Sequence, residues 1–226
     1  GKLKALDFGD VVEPDNPDGE SRTRELTENA VAQSKLAIAL GGDNSITFAV
    51  ATGALKATDA VITLDAHHDI RNGISNGSPV RRLIEEFGLS GKNIIQIGIN
   101  DISNSPEYSR KAKDYGITVI SRNEIAAFGV ESAVAKALDS IQAARIHIDF
   151  DVDICDRSFV PATPASAPGG ISAYELRLFV RLLCQDKRVR SIDITEIDSS
   201  QDAPDQRTVR LGALLILEAA AGVLAR

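Results

Sequence analysis

The sequence predicts an α/β protein built on a mostly parallel sheet with helices on both faces. Three observations carry this. Short runs of aliphatic and β-branched residues alternate with stretches of helical pattern along the whole chain. The strand candidates are almost continuously apolar rather than alternating, as expected of strands covered on both sides. The 226 residues, 43% of them hydrophobic, suffice for one sizeable core.

In chain order, LKALDF (3–8) and KLAIAL (35–40) are the first strand candidates. A helix is expected over 45–57, then the strand AVITL (60–64) and a helix over 79–87. NIIQIGI (93–99) is followed by a helix over 106–115 and the strand ITVIS (117–121). Ser78-Pro79 and Ser105-Pro106 each offer a cap residue followed by proline at the first helical position. A helix over 122–141, the strand RIHIDF (145–150), a helix over 172–185, the strand VRSIDI (189–194) and a helix over 206–225 complete the pattern. No repeat or linker divides the chain, so residues 1–226 read as one domain.

Composition narrows the function. A net charge of -7 argues against nucleic acid or an anionic membrane as main partner. No apolar run reaches the roughly 20 residues of a membrane helix. LGALLILEAAAGVLA is broken by Glu218 and reads as a buried helix. Cys155 and Cys184, the two cysteines, read as reduced thiols in a cytoplasmic protein. The sequence has no methionine, even at its start, and reads as part of a longer chain.

In open parallel sheets, ligands bind outside the carboxyl ends of the strands. Four such ends are loaded here: GGDNS after KLAIAL, DAHHD after AVITL, DFDVDICD at the end of RIHIDF, and TEID after VRSIDI. In an extended DAHHD, Asp65, His67 and Asp69 share one face, and Ala66 and His68 the other. Such ligands suit Mn²⁺, Zn²⁺ or Fe²⁺, although a solvated turn would carry the same residues. The second cluster tips the balance. Asp149, Asp151 and Asp153 also alternate onto one face, among Ile, Phe and Val. Carboxylates so placed repel one another unless a cation sits among them. Carboxylates alone would equally fit Ca²⁺ or Mg²⁺; His67 favours a transition metal. One imidazole with several bridging carboxylates suits two ions, and a pair roughly 3.5–4 Å apart activates water.

Together GGDNS, DAHHD, DFDVDICDRSFVPATPASAPGG and DITEID resemble, in order, the four signature blocks of the arginase/agmatinase/formimidoylglutamase (ureohydrolase) family. The resemblance implies a three-layer α/β/α sandwich, two Mn²⁺ per subunit, a trimer or hexamer, and hydrolysis of a C–N bond at an amidine carbon. It implies that Asp65 and Asp151 bridge both ions, that His67 and Asp153 complete one site, and that Asp69 belongs to the other. Asn44 stands where most of the family has a histidine. Its neutral amide oxygen is a poorer ligand than imidazole, so one ion is expected to be held more weakly. Glu196 resembles the glutamate that binds the cationic group of the substrate. Asp149 matches no metal ligand. The family's opening block is not seen before LKALDF, so an amino-terminal segment is expected to be missing.

The loop after DAHHD carries no histidine; the three histidines are His67, His68 and His147. Instead, DIRNGISNGSPVRRL and IGINDISNSPEYSRKA, with its N-S-x-x-Y, resemble the formimidoylglutamase branch. The expected substrate is therefore N-formimidoyl-L-glutamate, cleaved to formamide and glutamate in histidine degradation. Asp69 would carry the proton to the leaving amine, and Arg71 and Arg81, with Arg82 in reserve, would meet the carboxylates. Two alternatives stand beside this: an agmatinase or guanidino-acid hydrolase releasing urea, and a silent subunit with this fold. His68 is expected to be structural and His147 to support the site from behind. Cys155 has no neighbouring base that would make it a nucleophile.

Overall fold

The computed structural model describes residues 3–226. Six parallel strands form one sheet in the order β1-β6-β5-β2-β3-β4. They are β1 (Ala37–Leu40), β2 (Ala60–Leu64), β3 (Ile94–Ile99), β4 (Thr118–Ser121), β5 (Ile146–Asp151) and β6 (Val189–Thr195). The central β2, β3 and β5 are buried at every position; β2 and β3 are accordingly near-continuous apolar runs, while β5 alternates apolar residues with buried His147, Asp149 and Asp151.

Seven helices cover the two faces: α1 (Pro17–Gln33), α2 (Ile46–Ala54), α3 (Pro79–Glu85), α4 (Pro106–Tyr115), α5 (Arg122–Asp139), α6 (Ala173–Leu183) and α7 (Arg207–Leu224). One core joins Val31 of α1, Phe48 of α2, Leu83 of α3 and Ala112 of α4 to Val61 and Ile94 of the sheet. The other joins Ile125 of α5, Phe179 of α6 and Leu215 of α7 to Ile62, Ile97 and Ile148. The result is the three-layer sandwich with a parallel sheet.

Ser105 caps α4 by accepting the Tyr108 N–H at 3.2 Å, as its Ser-Pro sequence predicts. Ser78 behaves differently. It makes no cap bond to α3; its hydroxyl closes the preceding turn by donating to Ser75 O at 2.8 Å. Two expectations are corrected. LKALDF forms no strand; Leu3 and Leu6 are exposed, with no neighbour to reward pairing. The 17-residue α1, unforeseen in the sequence, buries Gly19, Thr23, Thr27 and Val31. That stripe repeats every four residues but is too polar to read as an apolar face.

Strands β2 and β5 lie side by side in the sheet. From β2 the chain runs on through α3 to β3, and from β5 through α6 to β6, so these two connections leave in opposite directions over opposite faces. Their carboxyl ends therefore open a crevice at the topological switch point.

One glycine closes the long loop after β5. A Cβ at Gly170 would lie 2.3 Å from the Asp156 nitrogen and 2.6 Å from Ile154 O, both backbone atoms. Gly170→Ala should cost about 2 kcal/mol and lower Tm by roughly 4–8 °C in a thermal melt. An unchanged Tm would show that this backbone can move apart freely.

Candidate metal centre

The crevice gathers side chains from four strand ends. Asp65 follows β2 directly, and its N–H still pairs with Ile97 O of β3 at 3.1 Å. The chain then leaves the extended course, and Asp69 takes a left-handed φ of 52°. Such a backbone is unfavourable for a non-glycine residue and recurs at functional sites. Asp151 ends β5, and the 3₁₀ turn Val152–Ile154 follows. Asp151 caps that turn by accepting the Asp153 N–H at 2.8 Å. Strand alternation thus places Asp149 and Asp151 on one face, but Asp153 reaches the site through the turn.

His67 Nδ1 lies 2.8 Å from Asp153 Oδ2 and 3.3 Å from Asp65 Oδ1. These three residues each offer a ligand atom, all within 4.8 Å of one another. Two backbone N–H groups hold the carboxylates in place: Ala66 donates to Asp153 Oδ1 at 3.1 Å, and His67 to Asp65 Oδ1. Asp65, Asp151 and Asp153 are buried, while His67 is partly exposed at the mouth.

The electrostatics are lopsided. Burial, and then the charges of Asp69, Asp153, Asp151 and Asp149, push the Asp65 carboxyl well above the usual range. Burial and Asp153 act likewise on Asp151, and together they raise Asp69 to about 7. Burial opposes a charge on His67, yet its bond to Asp153 and the acids around it raise its pKa. Oxygen-rich, negative and carrying one imidazole, this pocket fits a divalent transition metal. Asp65, His67 and Asp153 stand close enough together for their ligand atoms to meet one ion.

The other expected ligand pair takes a different form. Asn44 meets Asp69 Oδ2 through its amide nitrogen, and its oxygen accepts from the Thr47 hydroxyl at 2.7 Å. A metal ligand at this position would have to present that oxygen, which requires the amide to turn over. The Asn44 N–H also donates to Glu196 Oε1 at 2.8 Å. Glu196 is buried just beyond β6 with a left-handed φ of 62°, and burial raises its pKa. It accepts a longer bond from Asn76 Nδ2 at 3.5 Å.

The arginines separate cleanly. Arg71 is exposed, and its charge acts on His67. Arg81 is not brought to the site. It donates to Arg71 O at 2.8 Å and Glu85 Oε2 at 2.8 Å, and also to Gly73 O. Arg82 is occupied by Glu20 and Glu86 and stacks over the Phe48 ring at 3.8 Å. Both arginines sit four residues before a glutamate in RRLIEE, a signal of helical ion pairing that the sequence reading passed over.

His68 turns away from the ligands, with Nδ1 2.7 Å from Gln96 Oε1. His147 is fully buried on the same face of β5 as Asp149 and Asp151. Its Nδ1 pairs with Ser191 Oγ at 2.8 Å, and its Nε2 lies 3.4 Å from Asp193. Asp149 lies against Asp193, and burial and that neighbour hold its carboxyl well above the usual range. These groups form a buried polar layer beneath the cluster; Asp193 opens the DITEID block but was given no role of its own in the sequence. Cys155 and Cys184 are free, buried thiols; burial pushes both up, Cys184 to about 12.

Clustered carboxylates and an imidazole at the switch point of a parallel α/β sandwich have the ligand chemistry of metallohydrolase-like sites. This chain belongs to the arginase family, whose model matches residues 1–222. It is 38% identical over 192 residues to the formimidoylglutamase of Bacillus subtilis, spanning 81% of this chain and 60% of that protein. With the formimidoylglutamase of Halalkalibacterium halodurans it shares 36% identity over 232 residues, 96% of this chain and 71% of that one. The crystal structure of the Bacillus subtilis enzyme superimposes with a TM-score of 0.86 at 33% identity, covering 94% of this chain and 69% of that chain. The structure of Trypanosoma cruzi formiminoglutamase with Mn²⁺ has the same fold, with a TM-score of 0.89 at 21% identity over 96% of this chain and 75% of that one. The chain thus spans about 60–70% of the two curated relatives.

The raised carboxyls give a pH signature. A raised pKa in the folded state means the cluster loses stability as pH climbs through the Asp69 value of about 7 and regains it as pH falls towards 3.8. A divalent cation offsets the same repulsion and competes with protons. Mn²⁺ at about 100 times its Kd should raise Tm by roughly 5–10 °C at pH 8, and by clearly less at pH 5.5. A larger shift at pH 5.5 would contradict a carboxylate-held ion.

Proposed function

We propose that the chain is a metal-dependent hydrolase of linear amidines, acting on N-formimidoyl-L-glutamate to give formamide and L-glutamate in histidine degradation. The observation that carries this reading is the buried Asp65–His67–Asp153 cluster with Glu196 close by and an uncommitted arginine, Arg71, at its mouth. The formimidoylglutamases among its relatives support the substrate.

In this reading two Mn²⁺ would be held by Asp65, Asp151, His67, Asp153, Asp69 and Asn44. Asn44 makes the second ion the weaker one. When bound, the ions supply an activated water and positive charge beside the amidine carbon. Glu196 holds the amidinium through a charge-assisted pair and so orients its carbon. Asp69 takes a proton from the attacking water and delivers it to the departing nitrogen. The balance is one water consumed, the C–N bond broken, formamide and an amine released. Arg71 grips the carboxylates of the glutamate. Arg81, named beside it in the sequence reading, takes no part in gripping; it steadies the loop that carries Arg71.

We read residues 1–226 as one catalytic domain that assembles into a homo-oligomer, a trimer or hexamer. Exposed Tyr174, Leu214 and Leu217 on α6 and α7 support a covered face there. Among the described residues no helix is long and apolar enough to cross a membrane, and the two free thiols support a cytoplasmic location.

Formamide and urea measured together test the reading. Mn²⁺-loaded protein should release formamide from formimidoylglutamate faster than urea from arginine, agmatine or guanidinobutyrate. Glu196→Gln should lower kcat/KM by about 2–3 kcal/mol, roughly 30–150-fold, with metal content unchanged. Arg71→Ala should chiefly raise KM for the dicarboxylate. Faster urea release would move the chain to the guanidino hydrolases. No product from any substrate would leave a silent subunit, which the bond between Asn44 and Asp69 would favour.

A further inference from the structure

Two side-chain amides, Asn104 and Gln96, grip the backbone of the ligand loop from behind. Asn104 Nδ2 donates to Ala66 O at 2.8 Å and to Asn100 O at 3.0 Å. Its Oδ1 accepts the His68 N–H at 3.0 Å. Gln96 Nε2 donates to His68 O at 2.9 Å, and its Oε1 faces His68 Nδ1 at 2.7 Å. The amide orientations are fixed by chemistry, since a carbonyl only accepts and a backbone N–H only donates. It follows that Gln96 presents oxygen to His68, so His68 Nδ1 carries the proton. Every hydrogen of the Asn104 amide is used.

The pattern has directional logic. Past Leu64 the main-chain pairing of β2 with β3 survives only through Asp65 N–H to Ile97 O and Asn100 N–H to Ala66 O at 3.0 Å. Asn104 then acts as a short surrogate strand, pairing with the alternate groups Ala66 O and His68 N. With those groups held outwards, the N–H groups of Ala66 and His67 point inwards and bind the carboxylates of Asp153 and Asp65. Gln96 is fully buried in the middle of β3, a costly place for an amide unless both its ends are used.

We propose that Asn104 is a positioning residue for the metal centre, with Gln96 as its partner: together they fix the 66–68 backbone so that His67 and the Asp65 and Asp153 carboxylates are preset to hold an ion. This rests on the reading of those three residues as ligands. Asn104 touches no substrate and moves no proton. Residues that orient ligands from behind typically change metal affinity 10–100-fold.

The test measures Mn²⁺ affinity by calorimetry for the wild type, Asn104→Ala, Asn104→Asp, Gln96→Ala and His67→Ala, with circular dichroism of each metal-free protein. Asn104→Ala should weaken Mn²⁺ binding by roughly 10–100-fold, and the KM for substrate at saturating Mn²⁺ should stay at the wild-type value. Asn104→Asp keeps the acceptor for His68 but loses both donors, so it should not rescue. If Asn104→Ala fails to fold, Gln96→Ala carries the same expectation. Wild-type Mn²⁺ affinity in folded Asn104 and Gln96 variants, with affinity lost in His67→Ala, would overturn the positioning role alone. Unchanged affinity in His67→Ala would overturn the ligand reading itself. A raised KM at saturating Mn²⁺ would make Asn104 a substrate contact and likewise overturn the proposal.

Discussion

Mutual repulsion among buried carboxylates is the constraint on which this structure turns. Asp65 faces the charges of Asp69, Asp153, Asp151 and Asp149 inside a buried space, so ionising any one works against all the others. The basic groups beside them are His67, whose pKa its bond to Asp153 raises, and Arg71 at the rim. A fold that keeps such a cluster at the mouth of its sheet either accepts protons there or places a cation of higher charge among the acids. The single imidazole and the divided ligand loops favour the cation.

The rest of the architecture serves that arrangement. Parallel strands buried on both faces deliver rigid carboxyl ends, and the switch between β2 and β5 leaves a crevice where loops from both sides meet. The strain stored at Asp69 and Glu196, both left-handed, is borne where the loops must turn sharply to aim a carboxylate inwards. A buried hydrogen-bonded network around Asn44, Thr47 and Thr195 links this rim to β6. Arg81 and Arg82 take part as braces of the loop and helix, and so the sequence order of arginines says little about which one is free for a ligand.

Most of the fold was legible because its strands are short, mostly apolar runs and because Ser105, Ser121 and Ser172 cap α4, α5 and α6. The exceptions have physical reasons. Helix α1 packs threonine and glycine against its neighbours, with Gly19 against the Glu13–Pro14 backbone and Gly53 of α2 against Arg24, so close approach replaces apolar periodicity. LKALDF has strand-like composition without a surface to bury it. At the site, the acids and His67 announced themselves by type and spacing. What spacing could not reveal was the turn that carries Asp153, the sharing of Asn44 with Asp69, or the amides of Gln96 and Asn104. The turn is local, closed by Asp151 on the Asp153 N–H, but the other two depend on contacts between residues 25 to 36 positions apart.

The central claim, that this acid cluster is a divalent-ion site shared between two ions, is tested most directly by counting. Mn²⁺ bound per chain, measured by calorimetry with elemental analysis of the loaded protein, should reach two in the wild type, with unequal affinities. In Asp151→Asn, which removes the proposed shared carboxylate while keeping its shape, both should be lost or weakened together. Binding of both ions with wild-type affinity in Asp151→Asn, or no Mn²⁺ bound by the wild type at all, would contradict the account.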